Sequence, residues 1–267
     1  MSALTTIVYL AGTALYLLYL ALARPGLARA GRAALALGFV LHTALLGLRM
    51  LEIGYPPVAS LGDSLSLLTW LLVGGYLVVS LKRGTMVLGS FVSPIAAALM
   101  VSAWILPRAT SPLTPGLHSV WIPIHVWLVL SGEAIFALAF CAGIMYLFQE
   151  RQLKTKQLGL LARRLPSLEL LDRLNWRLLT IGFPLLTFGF IAGMVVAASA
   201  WGAFWSWDPK QVWALITWLL YAVQLHSRLT AGWRGRRAAI LSIVGFVVLL
   251  FTFLGVNLVQ TSLHRFV

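Results

Sequence analysis

Three tryptophans crowd seven residues of this chain, Trp201, Trp205 and Trp207 in the segment "WGAFWSWD", and the last is followed by Asp208. Five histidines lie elsewhere: His42, His118, His125, His226 and His264. Imidazole is a strong ligand for haem iron, and two axial histidines saturate a six-coordinate haem. Indole rings offer flat, polarisable faces that suit a porphyrin, and their N–H groups reach propionates or water. Asp208 accepts hydrogen bonds and can orient an indole N–H or a backbone turn, while Pro209 suits the first turn of a helix. A blander chemistry competes. Tryptophans at a membrane interface serve as belt anchors, and a lone interfacial histidine is often merely hydrated. Three tryptophans beside an aspartate are denser than an ordinary belt, whereas Trp213 and Trp218, inside the next apolar run, read as packing or anchoring. No nucleophile–base pair stands out. The single cysteine, Cys141, lies within an apolar run, so the chain carries neither an intramolecular disulfide nor a C-x-x-C-H motif.

The elements that must position these groups are membrane helices. Of the 267 residues, 60% are hydrophobic and only 10% charged, and the mean hydropathy is +0.92. Such composition excludes a soluble domain. A spanning helix needs about 20 mainly apolar residues. Eight runs qualify, at about 3–22, 33–51, 64–81, 86–105, 119–148, 177–199, 210–227 and 238–260. The expected fold is therefore an all-α integral membrane protein, a bundle of about eight transmembrane helices forming one domain over 1–267. The longest polar interval, roughly 149–176, is too short for a second domain, and no internal repeat suggests an inverted-repeat transporter.

The net charge of +13 raises the question of nucleic acid, and its distribution argues against it. All of the 20 lysines and arginines except Arg49, Arg108, Lys210 and Arg265 fall in or beside alternate inter-span segments. By the positive-inside rule those segments are cytoplasmic. Both termini and the tryptophan segment are then expected outside. The N-terminus "MSALTT" lacks the basic head of a signal peptide, so the first run is expected to remain a helix.

On this topology His125 lies near the outer end of the fifth span and His264 just beyond the outer end of the eighth, on the same side as the tryptophans. The arrangement would suit an exposed haem held between a loop and two flanking histidines. His226 lies at the cytoplasmic end of the seventh span, across a hydrocarbon core of about 30 Å. It either ligates a second haem or caps its helix beside Arg228. His42, in mid-span, reads as a hydrogen-bonding partner within the bundle or an additional ligand, and His118 after "TPG" as part of a turn. Glu133 follows His125 by about 12 Å of helix, where a buried carboxyl is expected to be neutral, paired or facing a polar cavity. Asp63 is expected to cap the third helix.

"WGAFWSWDPKQVWALITW", followed by "YAVQLHSR", resembles the WWD signature of haem-handling proteins, and more narrowly the CcsA/ResC-type subunit of system II cytochrome c biogenesis. "PPVASLGDSLSLLTW", "WIPIHVWLVLSGEAIF" and "FTFLGVNLVQTSLHRF" are similar to other segments of that family, in the right order. Three positions depart from its pattern. Gln211 stands where an acid is usual, Asp63 where glutamate is common, and Glu133 where the residue is usually uncharged.

The resemblance implies a multi-pass protein of the bacterial cytoplasmic (inner) membrane that binds haem b and presents it on a WWD loop, about 200–210, on the outer or periplasmic face. It implies His125 and His264 as the outer axial ligands, and Trp201, Trp205, Trp207 and Asp208 as the presenting platform. His226 would ligate an inner haem, with its second ligand from a CcsB/ResB-type subunit. The implied activity is that of a subunit of a cytochrome c synthase (haem lyase) complex. Its substrate is apocytochrome c, whose C-x-x-C-H thiols are kept reduced by thiol-reducing proteins. The alternatives are a HemX-like haem-binding regulator of haem synthesis and a membrane b-type electron carrier.

Overall fold

A computed structural model describes residues 2–58, 60–106, 120–156, 159 and 164–255. His264 and His118 lie outside the described residues.

Among the described residues, eight α-helices run in chain order: α1 (Ser2–Leu22), α2 (Pro25–Ile53), α3 (Leu61–Val79), α4 (Gly89–Ile105), α5 (Trp121–Thr155), α6 (Leu168–Trp201), α7 (Pro209–Thr230) and α8 (Arg236–Leu250). A 3-10 turn, Met86–Leu88, leads into α4, and a π-helical turn, Phe251–Gly255, continues α8. Each expected run is a helix, and the chain is an all-α, multi-pass membrane protein. Seven of the helices, counting α4 and α8 with their adjoining turns, are long and apolar enough to cross a membrane. The exception is α7. It has 22 residues, about 33 Å at 1.5 Å per residue, but Lys210, Gln211, Gln224 and Arg228 lower its hydropathy. Three of these face inward: Gln211 and Gln224 are buried, and Arg228 binds Asp172.

Several helices outrun their apolar cores. α5 continues to Thr155 and α6 begins at Leu168, so most of the polar interval between them is helical. Glu150–Lys154 and Glu169–Arg173 pairs, one turn apart, support those extensions. The N-cap of α3 is Ser60 rather than Asp63. Ser60 Oγ accepts from the Asp63 amide at 3.1 Å and donates to Asp63 Oδ2 at 2.7 Å, a variant of the capping box in which the acid takes the cap's hydroxyl rather than its amide. Arg49 Nε stands 3.6 Å from Asp63 Oδ1.

α5 is the central helix, packed against α3, α6 and α8. α1, α2, α3 and α4 form one half of the bundle, α5 to α8 the other, and the α3–α5 contact is the main junction. Where α6, α7 and α8 meet near Arg228, the Arg228 guanidinium grips the Asp172 carboxylate with two bonds of 2.7 Å, and the Gly235 amide donates to the same carboxylate at 2.8 Å. Deeper in the bundle, Ser242 Oγ receives Asn175 Nδ2 at 2.8 Å and Gln224 Nε2 at 2.7 Å. This buried polar knot ties the same three helices together, and it reaches α5 through Asn175 Nδ2 and Ala139 O.

Candidate haem site beneath the tryptophan loop

The tryptophan loop is a sharp connection between two helix ends. α6 stops at Trp201 because Gly202 takes a left-handed conformation, φ 76°, and returns its amide to Ala198 O at 3.0 Å. Glycine fills that position at no steric cost. α7 starts at Asp208, whose Oδ1 accepts the Lys210 amide at 2.9 Å, with Pro209 next, where a missing N–H costs nothing. Gln211 reaches back over this cap. Its Oε1 accepts both the amide and the hydroxyl of Ser206, at 2.9 and 3.1 Å. An amide oxygen thus does the accepting that a carboxylate would do at this position.

Between the two ends the indoles differ in their setting. Trp205 packs edge-on against Phe190 and Trp207, with ring centroids 6.5 and 5.6 Å apart. Trp207 is 77% exposed and Trp201 37%. Trp207 also has a positive φ, 57°. A bulky residue in that region carries strain, on the order of 1–3 kcal/mol. The chain therefore holds a large apolar ring in the open, on a backbone that resists it. Asp208 is buried and shapes the loop by capping α7.

Under the loop lies a cavity whose empty space, mouth included, is about 1130 Å³. Its walls come from α5 (His125, Val129, Glu133), α6 (Leu186, Phe190, Gly193), α7 (Lys210, Gln211, Ala214), the end of α8 with its π turn (Leu249, Thr252, Phe253), Ser64 of α3, and Trp205. Most of these side chains are apolar, with a few convergent polar groups, the usual make-up of a small-molecule site. Trp205 is the member of the tryptophan cluster that lines this space; Trp207 packs on Trp205, and Trp201 ends α6.

His125 is oriented for ligation. Its Nδ1 lies 2.8 Å from Gly189 O; a carbonyl only accepts, so Nδ1 carries the proton and Nε2 keeps its lone pair. A backbone carbonyl on the distal nitrogen is the usual second partner of a metal-bound histidine. Gly193, one turn further along α6, makes room for the ring. A Cβ there would fall 2.7 Å from His125 Cε1 and 2.9 Å from Nδ1. The residues fit the chemistry of a haem: an imidazole whose Nε2 keeps its lone pair, a largely apolar cavity beside it, and an indole in the cavity wall.

The remaining histidines divide sharply. His42 is fully buried between α1, α2 and α3, and both ring nitrogens are engaged, Nδ1 with Tyr9 Oη at 3.2 Å and Nε2 with Ser66 Oγ at 2.9 Å. It is a bundle hydrogen-bonder. His226 is exposed on α7, and Arg228, its expected companion at the helix end, is occupied with Asp172. Trp213 and Trp218 pack as expected, Trp213 against Phe251 and Trp218 against Phe183 with its Nε1 on Thr187 Oγ1 at 2.9 Å.

The family model for the cytochrome c assembly protein matches residues 58–264. The chain belongs to the cytochrome c assembly protein family. That span takes in His125, the tryptophan loop, His226 and His264, and leaves α1, α2 and His42 outside. The chain is 35% identical over 286 residues to the cytochrome c biogenesis protein CcsA of Synechococcus elongatus, covering 90% of this chain and 88% of the relative. It is 38% identical over 243 residues to the CcsA of Guillardia theta, covering 84% and 81%. Among solved structures, the cytochrome c haem lyase CcmF superposes with a TM-score of 0.69 at 20% identity. That likeness covers 95% of this chain but 45% of CcmF, and it concerns the fold.

Three participants in the cavity escaped the sequence reading of the site: Lys210, Gly193 and the carbonyl of Gly189. The signal for the glycines was their spacing of four on α6, which puts both on one helix face. Lys210 was visible as a rare cation outside the basic segments. Glu133 stood out by its charge in an apolar run, and its role depends on the cavity.

Proposed function

We propose that this chain works in cytochrome c biogenesis as the membrane subunit that holds haem under the tryptophan loop and presents it for attachment to apocytochrome c. The observation that carries the reading is His125, whose Nδ1 is tied to Gly189 O and whose Nε2 is left for iron beside the cavity. His264, outside the described residues, is the second axial ligand in this proposal. Haem would supply the iron and the two vinyl groups that accept the thiols of a C-x-x-C-H motif. The residues of the chain bind, orient and exclude water. Trp205 walls the cavity, while Trp201 and Trp207 offer an exposed aromatic surface beside it for the incoming polypeptide. Proximity of well-oriented partners is worth about 7–11 kcal/mol at best, so a positioning protein needs no acid–base pair of its own.

The positive-inside argument supports the outer face of a bacterial cytoplasmic membrane for the loop. His226, exposed on α7, is available to a haem shared with a CcsB/ResB-type partner. An electron carrier would pair histidines across its interior, but His42 spends both nitrogens on Tyr9 and Ser66. The test is the absorption spectrum of the purified chain, of H125A and of H264A. A low-spin b-type spectrum altered by both substitutions is the expected result. A wild-type chain without haem, or a spectrum indifferent to both changes, overturns the proposal.

A further inference from the structure

Glu133 is the one carboxylate in the cavity wall among the described residues. It is buried, 6% exposed, and its Oε2 has no hydrogen-bond partner among the described residues. A carboxyl group left so in an apolar setting costs free energy in either protonation state, and a fold keeps it when a ligand answers it. Lys210 lines the same cavity from the first turn of α7, where the helix dipole adds to its positive charge. The two side chains are coupled electrostatically, yet no ion pair within 4 Å joins them. A cation entering here meets Lys210, and a fully apolar edge leaves Glu133 unanswered. A carboxylate meets both. It accepts from the Lys210 ammonium, and it accepts the O–H of Glu133 as the neutral acid, the strong O–H···O⁻ type of bond.

Resting on the haem reading above, we infer that Lys210 and Glu133 form the subsite that receives a haem propionate, and so set which edge of the macrocycle enters the cavity. Haem carries its propionates on the edge opposite its vinyl groups. With a propionate held between α5 and α7, the vinyl edge is turned away from Lys210 and Glu133, toward the rest of the cavity, whose wall includes Trp205. The subsite would thereby supply the orientation that attachment demands, and Glu133 Oε2 would gain the partner that the described residues do not give it.

The test compares iron protoporphyrin IX with its dimethyl ester, in which both propionates are masked while iron and vinyls are unchanged. Each is titrated into the full-length chain in detergent, stripped of endogenous haem, and binding is followed by the Soret band. Wild-type chain is expected to prefer the free acid by about tenfold or more, the worth of one charge-assisted hydrogen bond. Lys210→Met should lose most of that preference, Glu133→Gln should retain it because the amide still donates, and Glu133→Leu should reduce it. Equal affinity of wild-type chain for acid and ester overturns the inference even if a variant fails to fold, and it leaves the haem proposal standing. A wild-type chain that binds neither compound removes both. A preference for the acid that is unchanged in Lys210→Met and Glu133→Leu also overturns it, since the propionates would then be held elsewhere.

Discussion

The two halves of the bundle treat His42 and His125 in opposite ways. In the half made of α1 to α4, His42 is bonded at both nitrogens, and Thr13 Oγ1 lies within hydrogen-bond reach of two carbonyls, Tyr9 O at 2.9 Å and Ser93 O at 3.0 Å. In the half made of α5 to α8, His125 is bonded at one nitrogen, and Glu133 Oε2 has no hydrogen-bond partner among the described residues. Both halves bury polar groups in an apolar bundle, where such groups are expensive. In the first half the histidine closes its bonds on the protein; in the second, beside the satisfied knot of Asn175, Gln224 and Ser242, His125 and Glu133 line a cavity. A histidine in a membrane helix is thus informative through what its second nitrogen does, more than through its presence.

That contrast can be broken by exchange of consequences. His125→Ala is expected to abolish the low-spin haem spectrum while the apo chain melts close to wild type, as measured by absorption and by circular dichroism on heating. His42→Ala should do the reverse. It empties a buried site and strands Tyr9 Oη and Ser66 Oγ, which costs about 2–4 kcal/mol, and the protein that does fold should still bind haem. If His42→Ala removed haem without loss of stability, the division between the halves would fail.

Gly193→Ala sharpens the comparison inside the second half. Its new methyl would press on the His125 ring, so haem retention in a dissociation assay should fall by about tenfold, a misplaced ligand's worth, with helix content unchanged. Smaller effects belong to the loop. Asp208→Ala removes the cap of α7 and should cost about 1 kcal/mol in thermal stability, largely restored in Asp208→Asn. At Trp207 the sign is unusual. Replacement by glycine relieves the positive φ and should leave the fold about 1 kcal/mol more stable than replacement by alanine, while both lose the exposed ring and therefore attachment efficiency in a cytochrome c maturation assay.

Much of this architecture was legible beforehand, because hydropathy reads the membrane directly. Every apolar run became a helix near its expected place. The helix ends were harder, since α5 and α6 continue past the apolar segment on charged turns that hydropathy scores as loop. In the site, residue type alone marked His125 and Trp205. It did not mark Lys210, nor what Glu133 faces, because the lining of a cavity depends on the rotation and crossing of helices far apart in sequence. Asp63 was assigned the cap that Ser60 provides, an error of three residues within one capping box. The knot of Asn175, Gln224 and Ser242 drew no notice at all. Single amides and hydroxyls on separate helices carry no local pattern that would announce their meeting.

The bond between His125 and α6 has one further consequence. Its acceptor is the main-chain oxygen of Gly189, an atom that every amino acid carries. Drift at position 189 can crowd the helix pair but cannot delete the acceptor, so the tautomer of His125 is insulated from the commonest kind of genetic change. What can undo it is a slip of α6 along α5, through an inserted or deleted residue. Descendants of this chain should therefore tolerate varied side chains around the histidine far better than any change in the length of the helix behind it.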